Sequence, residues 1–286
     1  MTFLRTTASA AAILLTAAAL VGCSTPEFAR IAGDVAMEPT PQLTSISPSE
    51  GSLTGGETVT LSGADLGDVA SVSFAGEDAT EITIVDPNTV TAVVPHSIDY
   101  VSGKSVAVEV ANSAGRGAAS QVNYTYLTLT AVDRQLEYAF AHWDDYNLAN
   151  YGDFTTWGGD CINFVSQTLV ARGWTTNSEW FNDAQESWAP AFVHVPTFDE
   201  WLADNPALGA TKITLAQDAH KIGDVVVFDW DGDGSLDHAQ VISGIEGDTV
   251  YMVGHDINTT YRSIDLALEQ QGTPLATVAI WSLPVA

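Results

Sequence analysis

Gly158-Gly159-Asp160-Cys161-Ile162-Asn163-Phe164-Val165-Ser166-Gln167-Thr168-Leu169-Val170-Ala171-Arg172-Gly173 decides how the second half of this chain is read. The glycine pair and Asp160 form a turn. Cys161 to Arg172 then carries Phe164, Val165, Leu169 and Val170 at helical spacing, and Gly173 suits the left-handed conformation at a helix C-terminus. The stretch predicts a helix that begins at or beside Cys161. A thiol there faces the positive end of the helix dipole, and a nearby imidazolium would add to the effect. Both lower a thiol pKa from its ordinary value of roughly 8.5 and favour the nucleophilic thiolate.

Upstream, Leu129, Val132, Leu136, Phe140 and Trp143 recur at steps of three and four, one face of a second helix with Thr128 or Thr130 as its cap. Downstream, Trp174 to Asp204 is irregular and aromatic, and its tryptophans read first as core. From Ile222 the period changes to strands: Asp224–Phe228, His238–Ile245, Thr249–Gly254 and Ala276–Trp281. Helices followed by an antiparallel sheet make an α+β domain over 127–286.

The base for a thiol should be a histidine on another element. His238 opens the strand His-Ala-Gln-Val-Ile, and His255 ends the next one. A hairpin at Glu246-Gly247-Asp248 would set the two side by side, so that His255 orients the His238 ring. Strand alternation turns Asp256 to the opposite face, which leaves it as the alternative orienter. His96, His142, His194 and His220 stand alone, without metal-ligand spacing.

Gly159-Asp160-Cys161-Ile162-Asn163-Phe164-Val165-Ser166-Gln167, with Gly223 to Trp230, Asp237-His238-Ala239 and Gly254-His255-Asp256, resembles the bacterial putative-amidase domain of the papain-like superfamily. The resemblance implies a C-terminal papain-like cysteine hydrolase with Cys161 as nucleophile, His238 as base and His255 as third residue. It implies no cofactor for acyl transfer. Where papain-type enzymes carry an oxyanion glutamine, this chain has Thr155, Thr156 and Trp157, so the Cys161 N–H is the expected oxyanion donor.

Asp229, Asp231, Asp233 and Asp237, with Gly234 at the sixth position, follow a calcium-loop pattern. Gln240 stands where a bidentate Glu is usual, and a strand follows instead of a helix, so this is no EF-hand. Two readings stand: structural calcium held by the four aspartates and the Ser235 carbonyl, or a tight polar turn with solvated acids.

Residues 42–126 form the other half of the pattern. Thr58–Leu61, Val69–Phe74, Ile82–Val85, Val90–Val94 and Val106–Val110 alternate with turn residues, which predicts an all-β sandwich. Ile46-Ser47-Pro48-Ser49-Glu50-Gly51, Thr54-Gly55-Gly56, Val72-Ser73-Phe74 and the closing Tyr124 resemble an IPT/TIG immunoglobulin-like domain. That likeness implies a spacer or docking module, with a protein partner, and no catalytic group.

Residues 1–22 read as a lipoprotein signal peptide: Arg5, an apolar run from Ala8 to Val21, then Leu20-Val21-Gly22-Cys23, which looks like a lipobox. Cys23 would carry the lipid and residues 23–41 would be a linker, so contact with the membrane would run through the anchor only. Cys161 is the second of two cysteines, and lipid on Cys23 leaves it without a disulfide partner. With 36 acids against 9 bases and a net charge of -27, the chain lacks the cationic footprint that nucleic acid requires. The expected function is an exported, surface-anchored cysteine amidase or peptidase acting on peptide or peptidoglycan-like substrates. The alternative is a catalytically inactive lipoprotein that binds or adheres.

Overall fold

Alternation of apolar and polar residues lays down the first half of the structure, a computed structural model that describes residues 39–184 and 186–285. The expected signal peptide, Cys23 and most of the linker lie outside the described residues. Nine strands follow: β1 (Gln42–Ser47), β2 (Glu50–Ser52), β3 (Thr58–Ala64), β4 (Val69–Phe74), β5 (Glu77–Asp78), β6 (Thr80–Asp86), β7 (Thr89–Val93), β8 (Lys104–Asn112) and β9 (Asn123–Leu127). They form two sheets, ordered β1-β3-β7-β6 and β2-β9-β8-β4-β5. In β8, Val106, Val108 and Val110 face inward between exposed neighbours. Leu61 pairs with Val90 and Val72 with Val110 across the strands, so the inward faces of both sheets are apolar. Burying each such side chain contributes about 1.5–3 kcal/mol.

The second half begins with helix α1 (Ala131–His142), capped by Thr130. The Thr130 hydroxyl accepts the Asp133 N–H while the Asp133 carboxylate accepts the Thr130 N–H, a reciprocal capping box. Next come α2 (Leu148–Tyr151), α3 (Cys161–Arg172), the short hairpin β10 (Asn182–Asp183) and β11 (Ser187–Trp188), α4 (Pro190–Val193) and α5 (Val195–Asp204). The remaining elements are β12 (Thr211–Ile213), β13 (Val225–Asp229), β14 (His238–Glu246), β15 (Thr249–Gly254), β16 (Thr259–Ser263), α6 (Ile264–Gln271) and β17 (Thr277–Ser282). The strands make one antiparallel sheet, ordered β12-β17-β13-β14-β15-β16. The four strands expected from the sequence form its centre. The two edges, β12 and β16, are short and largely polar, and their pattern alone did not mark them.

Helix α3 starts at Cys161 and ends on Gly173, whose φ of 112° is the left-handed conformation the sequence called for. Cys161 through Leu169 is buried on every side, which explains why the apolar face of this helix is weak in the sequence. Its polar residues are satisfied internally. The Ser166 hydroxyl accepts the Trp180 indole N–H at 3.1 Å, and Gln167 accepts the Tyr138 hydroxyl at 2.7 Å. Ala239 and Val241 of the sheet join the core that contains α1 and α3. The opposite face, with Val226, Phe228, Ile242 and Met252, packs on Ile264 and Ala267 of α6.

The two halves share contacts as well as chain. The Asp133 carboxylate, fully buried, accepts the Ser52 hydroxyl at 2.6 Å and the Thr54 N–H at 2.9 Å from the sandwich. Tyr100 packs on Phe140 and donates its hydroxyl to the Ser243 carbonyl at 2.6 Å. One apolar core therefore runs from the sandwich into the layer beneath α1 and α3.

Candidate active site

The turn before α3 presents Cys161 at the floor of a cleft of about 460 Å³. Its sulfur, a ring nitrogen of His238 and a carboxylate oxygen of Asp256 all lie within 4.8 Å of one another. Cys161 and His238 are 4% and 5% exposed, so the thiol and imidazole meet in a nearly dry environment. His238 reaches this place from the first residue of β14, beside the rings of Phe228 and Trp230.

The structure separates His255 from His238. The His255 Nδ1 lies 2.6 Å from the Asp160 carboxylate, and its Nε2 lies 2.8 Å from the His142 carbonyl oxygen. Its ring stacks on Tyr146 at 3.6 Å and packs against Phe164. Both ring nitrogens are thus engaged away from His238, and His255 braces the turn that carries the nucleophile. Asp160, also fully buried, accepts the Phe154 N–H and the Asn163 amide with its other oxygen, which fixes the loop leading into α3.

Asp256 occupies the position expected of His255, for two reasons. Strand β15 ends at Gly254, so residues 255 and 256 sit in a turn, and Asp256 has φ 67°. Strand alternation no longer governs where their side chains point. The hairpin also turns at Gly247-Asp248, one residue later than a 238–255 pairing needs, so the ladder beside the turn would set His238 opposite Ile257, and the bulge between Ile242 and Gly244 brings the register back by one. Val241 pairs with Val253, and that register continued outward sets His238 opposite Asp256. The Asp256 carboxylate accepts the Asp160 N–H at 2.8 Å and the Cys161 N–H at 2.9 Å. The amide expected to serve an oxyanion is therefore held by Asp256 in this structure. Gly159 makes this contact geometrically possible: at φ 128°, a Cβ there would come within 2.7 Å of the Asp256 carboxylate.

The electrostatics also depart from the sequence reading. Burial, reinforced by the Asp256 charge, pushes the Cys161 thiol up to about 12 instead of lowering it. Hydrogen bonds with the Ala239 and Ile162 backbone act in the opposite direction without reversing it. Burial pushes the His238 imidazole down to about 4; Asp256 opposes this and Arg262 adds to it. At neutral pH the pair rests uncharged. The dipole and the imidazolium cannot compensate for desolvation, because a carboxylate caps the helix and the ring holds no proton charge.

Behind the site lies a group of buried polar atoms that sequence reading did not mark as functional. His238 Nε2, both amide atoms of Gln240, and Nε and Nη1 of Arg262 have no hydrogen-bond partner within the protein. Gln240 and Arg262 are each at most 7% exposed. A polar residue two positions after the base, on the same strand face, was the available signal.

In the acidic loop, Asp229, Asp231 and Asp233 bring carboxylate oxygens within 4.8 Å of one another. Asp237 is not part of that group; it accepts the Trp230 N–H at 2.7 Å. Asp229 accepts from Gly232 and Gly234, and the Ser235 N–H donates to Asp233. The loop is thus turned around its own aspartates, and Ser235, Leu236 and Asp237 form part of the cleft wall. Trp174, Trp180 and Trp201 pack together as core, whereas Trp157 and Trp188 line the cleft.

The family model described as "Putative amidase domain" matches residues 129–278, more than half of the chain, and the IPT/TIG domain model matches residues 41–126. The uncharacterized protein YhbB of Bacillus subtilis (strain 168) is 28% identical over 113 residues, covering 37% of this chain. This chain spans 35% of the length of that relative. Among solved structures, the TIG domain of human nuclear factor of activated T-cells, cytoplasmic 4, is 27% identical, with 31% of this chain and 89% of that one covered and a TM-score of 0.26. A structural genomics protein of unknown function from Bacteroides thetaiotaomicron is 12% identical, with 76% and 44% covered and a TM-score of 0.29.

Proposed function

The chain belongs to the Putative amidase domain family, and we propose that it hydrolyses amide bonds through a Cys161 acyl-enzyme with His238 as base. The observation that carries this reading is the convergence of the thiol, an imidazole nitrogen and the Asp256 carboxylate within 4.8 Å, with Cys161 lining a cleft. In the proposed reaction the sulfur attacks the amide carbonyl carbon as its proton passes to the His238 ring nitrogen. The tetrahedral intermediate expels the amine, which takes that proton, and leaves a thioester on Cys161. Water, deprotonated by His238, then releases the carboxylic acid.

Asp256 occupies the Cys161 and Asp160 amides, so an oxyanion on this reading requires a change at Asp256. A substrate carbonyl that takes over the Cys161 and Asp160 amides would displace the carboxylate that now caps them. That exchange supplies oxyanion donors and removes the charge that disfavours thiolate. The papain-like character of the domain, export, anchoring through Cys23 at the outer face of a bacterial membrane, and action on cell-wall peptides belong to the same proposal. They rest on the residue pattern of the sequence. The rival reading, a binding lipoprotein with an inert second domain, draws support from the protonated thiol.

Incubation of the full chain with peptide amides and with isolated peptidoglycan separates the two. The proposal expects release of new amino termini, a thioester trapped on Cys161 by acid quench, and loss of both in Cys161→Ala. Binding without turnover or thioester would establish the rival.

A further inference from the structure

The cleft over Cys161 is lined by aromatic rings and by the carboxylate of Asp237. Phe154, Trp157 and Trp188 meet edge to face, with ring centroids 5.0 to 5.9 Å apart. Trp157 remains 66% exposed. An indole left so open beside a nucleophile is available surface for a ligand. The acidic loop contributes Asp237 to the same cleft, with the exposed Asp231 and Asp233 on the stretch leading into it. Among the described residues no lysine or arginine lines the cleft, and the whole chain carries a net charge of -27.

We infer that this cleft selects peptide amides bearing an alkylammonium side chain, lysine-like in chemistry, next to the scissile bond. Indole faces are the strongest aromatic partners for a cation, and the methylene stem of such a side chain covers apolar ring surface while its charge faces carboxylate. A carboxylate at the same position would meet repulsion from Asp237 and find no lysine or arginine to pair with, His194 being the one basic side chain among the described lining residues. The cleft therefore disfavours acidic side chains and free C-terminal carboxylates, and the enzyme cuts within a chain instead of trimming its C-terminus. This inference rests on the hydrolase reading of the same site.

Three peptides capped at both ends, acetyl-Ala-Xaa-Ala-amide with Xaa as Lys, norleucine or Glu, vary only the side-chain charge. Their affinities for the full-length Cys161→Ala chain are read by calorimetry, and their turnover by the unaltered chain by chromatography. The Lys peptide should bind about tenfold more tightly than the norleucine peptide, with Glu weaker again. Trp157→Ala should weaken both Lys and norleucine, whereas Asp237→Asn should bring Lys down to the norleucine level. Equal affinities, preference for Glu, no measurable binding of any peptide, or a Lys preference that survives both substitutions would overturn the inference. Selective binding without turnover would instead sink the hydrolase reading and leave the selectivity standing.

Discussion

Replacing Asp256 with Asn should make the Cys161 thiol more acidic and faster to alkylate. Burial, with the Asp256 charge, pushes the intact thiol up to about 12, which places about one molecule in 10⁵ in the thiolate form at pH 7, against about 3% for a free cysteine near 8.5. Iodoacetamide should therefore modify Cys161 slower than free cysteine by on the order of 10³, with a rate that rises tenfold per pH unit to beyond pH 10. Asp256 lies within 4.8 Å of the sulfur. Coulomb's law at that distance gives about 1 kcal/mol in a water-like dielectric and about 3.5 kcal/mol at an effective dielectric of 20. The exposure of Asp256 argues for the lower half of that range, a fall in pKa of about one, or roughly tenfold faster alkylation at pH 7. The amide of Asn keeps an acceptor for the Cys161 N–H, so the change isolates charge from hydrogen bonding. The assay is alkylation rate against pH, followed by intact mass. Poor access to a sulfur in a residue only 4% exposed would lower every rate without altering the slope, so the slope decides. A rate that is flat from about pH 5 upward in the unaltered chain would mean a preformed thiolate–imidazolium pair and would overturn the neutral resting state.

Two further outcomes test the scaffold. Asp133 accepts hydrogen bonds from Ser52, Thr54, Leu129 and Thr130; burial pushes its pKa up, and these bonds more than compensate and hold it below the usual carboxylate range. Asp133→Ala removes the carboxylate half of the α1 capping box and leaves buried donors unmatched, a loss of about 3 kcal/mol, and should lower the melting of sandwich and sheet together in calorimetry; two separated transitions would contradict the shared core. If calcium holds the Asp229–Asp237 loop, millimolar calcium should raise the melting temperature by about 2–4 °C per kcal/mol gained, and EDTA should reverse it. No shift in either direction, or the same shift in Asp231→Asn, would rule that metal site out.

How far the sequence reached depended on whether a signal was local. The helix from Cys161 to Arg172 was legible because its start and stop are chain-local chemistry: a glycine turn before it and a glycine that accepts positive φ after it. The sandwich was legible for the same reason, through alternation in strands such as β8. His238 was legible as a histidine opening a strand. Its partner was not, because choosing between His255 and Asp256 required a count of residues across a hairpin. Such a count depends on where the hairpin turns and on a regular ladder: the turn at Gly247-Asp248 moves the residue opposite His238 from 255 to 257, and the bulge at Ser243 moves it back to 256. The thiol's ionisation was misread for a related reason. Burial of the sulfur is the larger cause; in addition, a helix N-terminus lowers a pKa only while its amides remain free, and here a residue almost a hundred positions away in the chain takes them. The same residue that displaced His255 from the triad also neutralises the dipole effect predicted for Cys161. The two departures thus meet at one residue but have separate causes, the hairpin register for His255 and burial with the Asp256 charge for the thiol, and Asp256→Asn tests the charge's share of the second.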